Sequence, residues 1–216
     1  MAPSFVLCPN LGSADFLNVL QVDSWSPPPA LQTIQLYAAT IYTDQSGPHV
    51  GQNVWPAVAP YVQQLQQSGV WLDVELGAGH PEDQEGQWGR SHAHIVSQRL
   101  IDQGSQVHIF WLDEPLTKLT PVLPLEVITQ TTASFCTDVL HMTGSPCGLI
   151  EAYPSSSCAA ILQFLSHLVQ DHGIPVAGLT LDLDLWPLRS RWPWERARRM
   201  RRAVADLRRM NTICLQ

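Results

Sequence analysis

Short apolar runs alternate along the chain with longer stretches in which apolar residues recur every three or four positions. The runs at 5–8, 34–38, 70–76, 107–112, 148–154 and 176–185 read as six strands. Between them the helical pattern appears at 13–20, from Asn53 to Gly69, at 91–103 before Gly104, at 124–142, and at 158–172 between Ser157 and Gly173. A further helix is expected over 193–210. Thr212-Ile213-Cys214-Leu215 reads as the start of a seventh strand.

Strand and helix alternating at intervals of about 35–40 residues call for parallel strands joined by crossover helices, an α/β architecture. A barrel and an open doubly wound sheet both satisfy that pattern. No G-x-G-x-x-G follows the first strand, which argues against a dinucleotide fold. The 216 residues form one domain, 1–216. A complete (β/α)8 TIM-type barrel runs to about 250 residues. The expected fold is therefore such a barrel, incomplete at the C-terminus, with about six βα units and the start of strand seven.

The carboxylates fall where that fold keeps its chemistry. Side chains alternate faces along a strand. In strand three Leu72, Val74 and Leu76 share one face, and Trp71, Asp73 and Glu75 the other. In strand six Leu181, Leu183 and Leu185 oppose Thr180, Asp182 and Asp184, and in strand two Ile34, Leu36 and Ala38 oppose Gln35 and Tyr37. Parallel strands are normally apolar on both faces, and unpaired buried carboxylates are too costly. The acids are therefore expected around a solvated hollow at the C-terminal strand ends, with Asp113, Glu114 and Glu151 at the ends of strands four and five. Crowded carboxyls drive their pKa values apart, so one can hold a proton while another is ionised.

Charge sharpens this picture. Residues 1–188 hold three basic and seventeen acidic residues, a charge of −14; residues 189–216 hold nine arginines and two acids, +7. The acidic body disfavours nucleic acid as a ligand, because phosphate neutralisation needs Lys and Arg. The arginine-rich segment reads as an outer helix with a solvated basic face, with pairing to the acidic body or a second copy as alternatives. No apolar run reaches the roughly 18 residues of a membrane span. The first seven residues have no basic region, so they read as a strand start rather than a leader, and the compartment is left open. Five scattered cysteines form no C-x-x-C pair and read as free buried thiols. Eight tryptophans are many for this length. Those near strand ends, Trp25, Trp55, Trp88 and Trp186, suit either packing or stacking on sugar rings.

Phe110-Trp111-Leu112-Asp113-Glu114-Pro115-Leu116, with Asp73-Val74-Glu75, Glu151-Ala152-Tyr153-Pro154 and Leu181-Asp182-Leu183-Asp184-Leu185-Trp186, resembles a group of bacterial glycoside-hydrolase-like TIM-barrel proteins. More distantly it is similar to retaining glycosidases with Asn-Glu-Pro at the end of strand four, although Asp113 stands where those have Asn. The resemblance implies hydrolysis of a glycosidic bond with Glu114 as proton donor. It groups Glu75 and Glu151 with it as catalytic carboxyls, and Asp113, Asp182, Asp184, Tyr37, Tyr153 and Trp186 as sugar-binding residues. The second carboxylate of such enzymes lies on strand seven, so a nucleophile must come from these acids or from missing sequence, and the chain is expected to be inactive alone if truncated. No cofactor and no metal are expected. The partner is a carbohydrate, with a second copy or another chain completing the barrel. Two alternatives stand beside this: a non-catalytic carbohydrate-binding barrel, and a metal-dependent sugar isomerase or aldolase-like barrel using Glu75, Glu114, Glu151 and Asp182. His92 and His94, two apart on a helix, are expected to point to different sides.

Overall fold

The computed structural model describes residues 5–7, 31–42, 55–77, 79, 82–83, 86–153 and 155–183. The helices expected over 13–20 and 193–210, the start of strand seven, Trp25, Asp184 and Trp186 lie outside the described residues. Among the described residues six strands form one parallel sheet: β1 (Phe5–Leu7), β2 (Leu31–Tyr37), β3 (Trp71–Leu76), β4 (Val107–Asp113), β5 (Cys147–Tyr153) and β6 (Leu179–Leu183). Their order in space is their order in sequence. A doubly wound sheet reverses strand order at a switch point. This one is wound in a single direction, as a barrel wall is, so the described residues form a parallel half-barrel with helices.

The helices are α1 (Ala38–Tyr42), α2 (Trp55–Gln67), α3 (Gln87–Asp102), α4 (Pro115–Leu119), α5 (Leu125–Thr143) and α6 (Cys158–Ser166), which continues into a π-helical turn over His167–Asp171. The five-residue α1 and α4 were not expected, because one turn is too short to show a period. α3 packs against α1 and α5, and α5 against α4 and the π turn. None of the described helices is long and apolar enough to cross a membrane.

One face of each of the strands β2 to β5 supplies the core. Ile34, Leu36, Leu72, Val74, Leu76, Phe110, Leu112 and Leu149 meet Val62, Leu65, Val96, Leu100, Ile128, Val139, Ile161 and Phe164 from the helices, all nearly inaccessible. Each such side chain stabilises the fold by roughly 1.5–3 kcal/mol. The layer fixes the backbone that carries the other, polar face. Ser157 caps α6 by accepting from Ala160 N at 3.2 Å, as its position before the helical pattern predicts.

Candidate active site

The inner face is built in tiers. At its middle, Asp73 is 3% exposed. Trp111 Nε1 donates to its Oδ2 at 2.7 Å, and His108 Nδ1 lies 3.1 Å from its Oδ1. His108 and Trp111 are three residues apart, which on a regular strand means opposite faces. The register between β3 and β4 slips between Leu72 and Val74, which pair with Val107 and Phe110. This irregularity brings both side chains to one carboxylate. Trp111 then lies across β5: a Cβ on Gly148 would sit 2.6 Å from its ring, so only glycine fits beneath it. Burial pushes the Asp73 carboxyl upward, against the pull of the Trp111 and His108 hydrogen bonds and the His108 charge.

Above this floor, at the C-terminal strand ends, stand the acids. Gln35 Nε2 donates to Glu75 Oε2 at 2.9 Å, and Tyr37 is the register partner of Glu75. Lys118 Nζ reaches back from α4 to Asp113 Oδ2. Burial, followed by the charge of Asp113, drives the Glu75 carboxyl up to about 7; Asp182 adds to the rise, and Gln35 and Lys118 oppose it. Glu114 is also raised, again by burial first and then by Asp113, with a further push from Asp182. Asp113 and Asp182 thus act on both glutamates, and the four acids share one rim.

Glu114 has φ 54 and ψ 45, and is the one non-glycine left-handed residue among those described. It precedes Pro115, a position that disfavours helical backbone, and such a conformation costs on the order of 1–3 kcal/mol. Its N–H donates to Ile150 O at 2.9 Å, and its carbonyl accepts from Lys118 N at 2.9 Å.

Glu151 departs from the sequence reading. Asp113 pairs in register with Ile150, and Asp182 with Ala152. The inner face of β5 is therefore Gly148, Ile150 and Ala152, and Glu151 points to the helices. It is 0% exposed and accepts from Leu116 N at 2.8 Å, Thr117 N at 3.2 Å and Thr117 Oγ1 at 2.9 Å. Burial raises it to about 7 despite those bonds. A carboxylate so enclosed does not meet a sugar, so the catalytic role expected of Glu151 is replaced by capping of α4. Tyr153, half-buried, shares its face by alternation and so lies on the side of the sheet opposite the acidic rim.

The structure therefore brings Tyr37, Glu75, Asp113, Glu114 and Asp182 to one rim, and sets Glu151 and Tyr153 behind the sheet. It adds Gln35, which alternation puts on the polar face without giving it a role, and Lys118, to which no strand pattern in the sequence assigns one. Lys118 had a signal in Pro115, a residue suited to open a helix whose first turn would return a side chain to Asp113. Among the described residues no three His, Cys, Asp or Glu side chains are grouped to hold a metal ion. With the Glu151 oxygens engaged, the four-carboxylate metal centre does not fit. His92 stacks on Tyr42 at 3.8 Å, while His94 lines a cleft with Asp138 and His141; the two diverge, as their spacing predicts.

Fold and site together define a parallel α/β half-barrel with an acidic rim at its C-terminal strand ends. No family model and no curated protein matches the chain. Among solved structures, it is similar to a xylose isomerase domain protein from Planctomyces limnophilus, at 13% identity and a TM-score of 0.47 over 85% of this chain and 64% of that one. It is also similar to a D-psicose 3-epimerase solved with D-fructose, at 10% identity and a TM-score of 0.47 over 87% of this chain and 66% of that one. The chain thus spans about two thirds of the length of either. At these identities and scores the likeness assigns neither family nor activity.

Proposed function

We propose that the rim is a proton-transfer site for a carbohydrate-class substrate, on a chain corresponding to most of a TIM-type barrel. The observation that carries this reading is the placing of Glu75, held by Gln35 Nε2 at 2.9 Å beside the Asp113–Lys118 pair, where burial and the charge of Asp113 push its carboxyl up to about 7. A general acid or base works best with a pKa near the working pH. Moving a proton between neighbouring carbons of an open-chain sugar needs such a group at the C–H and a donor at the oxygen that gains charge. Glu75 suits the first task, and the Lys118 ammonium or the Gln35 amide the second. Both neighbouring structures carry names from sugar isomerisation and epimerisation; the reading stands on the rim and not on them. The resemblance to glycoside hydrolases remains a second reading, favoured by the raised Glu114 carboxyl, which would serve as its proton donor.

Incubation with free aldoses and ketoses in D2O, followed by NMR, tests the choice. Deuterium is expected at the carbon next to the carbonyl of at least one sugar, with at least a hundredfold loss in Glu75→Gln. Turnover of aryl glycosides that disappears in Glu114→Gln would replace isomerisation with hydrolysis. Sugar binding without exchange or cleavage would leave a binding module.

A further inference from the structure

The rim stands on α4, and α4 is held from the far side of the sheet. It is a single turn, so its stability must come from what fixes its ends. Pro115 has no N–H to offer, which leaves Leu116 N and Thr117 N as the unpaired donors of the first turn. Glu151 takes both, and takes the Thr117 hydroxyl as well. That hydroxyl also meets Ser156 Oγ at 2.7 Å. Both Thr117 and the buried Ser156 thus brace the carboxylate. Immediately before Glu151 in β5, Ile150 O accepts from Glu114 N. Two adjacent residues of one strand therefore pin the strained residue at the head of α4 and the turn that follows it. Lys118, at the end of that turn, is the cation that reaches Asp113.

We propose that Glu151 is a positioning residue: from the helix side of β5 it holds α4 so that Glu114 and Lys118 stand on the opposite, acidic rim. This rests on the reading of the rim as the proton-transfer site. Glu151 touches no substrate. It acts by fixing the distance between the Lys118 ammonium and the carboxylates of Asp113 and Glu75. Asp113 belongs to β4 and stays with the sheet, so loosening α4 moves Lys118 and Glu114 away from it; of those two, Lys118 is the charge that acts on Glu75.

The direction of the effect follows. Lys118 lowers the Glu75 carboxyl and Asp113 raises it. If α4 slackens, the lowering influence is lost and Glu75 titrates higher. The experiment follows the Glu75 side-chain carboxyl by 13C NMR against pH, without sugar, in wild type, Glu151→Gln and Thr117→Val. The first variant keeps the shape and one acceptor but removes the charge. The second keeps the charge and removes one of its hydrogen bonds. Ile161→Val, buried in α6, serves as a destabilised control. Both test variants are expected to raise the Glu75 midpoint by about half a pH unit or more, while the control lowers Tm and leaves the midpoint in place.

An unchanged or lower midpoint in the test variants, with Tm reduced as in the control, would make Glu151 a structural cap only. A rise in Glu151→Gln without one in Thr117→Val would show that the Thr117 hydroxyl bond does not hold α4 in place and would overturn the proposal equally; loss of the Glu151 charge by itself would lower the midpoint, because a neighbouring negative charge raises a carboxyl. If Glu151→Gln does not fold, Thr117→Val decides alone. Because the titration needs no substrate, its failure leaves the deuterium-exchange test untouched, and failed exchange with a shifted midpoint would remove only the proton-transfer reading.

Discussion

Gly148 shows how a single missing atom supports a site. The Trp111 indole lies over it, and its N–H ties down a buried Asp73 beneath the rim. Gly148→Ala must displace the ring, at a cost of about 1–3 kcal/mol for overpacking, and should free Trp111 from Asp73. Urea denaturation and a red-shifted tryptophan emission would register it; unchanged stability would mean the ring has room to move. At this scale the sequence was partly legible. The alternation Leu72-Asp73-Val74-Glu75-Leu76 and Leu181-Asp182-Leu183 identified which acids share a face. It could not phase β5, whose residues Cys147 to Ala152 are all buried on both faces. With no polar stripe to set the phase, the side that Glu151 takes is not legible in the sequence. Nor could it anticipate that a slipped register puts His108 and Trp111 on the same carboxylate.

Among the elements, α4 is the most informative. Its head, Glu114, holds a left-handed backbone that glycine adopts without steric cost. Glu114→Gly is expected to leave the fold about 1 kcal/mol more stable, by relieving that strain and removing one carboxylate from a crowded rim. Catalysis or sugar binding at the rim should weaken in the same variant. A clear loss of stability in thermal melts would show that the glutamate side chain supports α4 rather than burdening it. The long elements were readable because four or more turns of helix repeat their apolar spacing often enough to be seen. α5, expected over 124–142, runs from Leu125 to Thr143. α1 and α4 hold five residues each, too few for a period, so the turn that builds the site was the part least visible.

For the whole molecule, pH should act through the raised carboxyls. Glu75 and Glu151 sit near 7 in the folded chain against an ordinary value of 4.5. The folded state therefore binds more protons than the unfolded chain between those values. Linkage then makes stability fall as pH rises from about 4.5 to 7, with the full loss present above. Tm is expected to be higher near pH 5.5 than at pH 8. Glu75→Gln, which has no charge to bury, should melt above wild type at pH 8, with the difference closing toward pH 5. A wild-type Tm that climbs steadily from pH 5 to 8 would mean these groups are not buried as described.

The chain's own order of residues determined that strands alternate with helices, that they run parallel, and that one strand face is apolar while the other carries acids. These follow from local periodicity, which each segment displays by itself. Whether the sheet winds one way or reverses, which face Glu151 takes, and which cation meets Asp113 were decided only in three dimensions. Each of those depends on register and packing between segments far apart in sequence, and no spacing within a single segment encodes them.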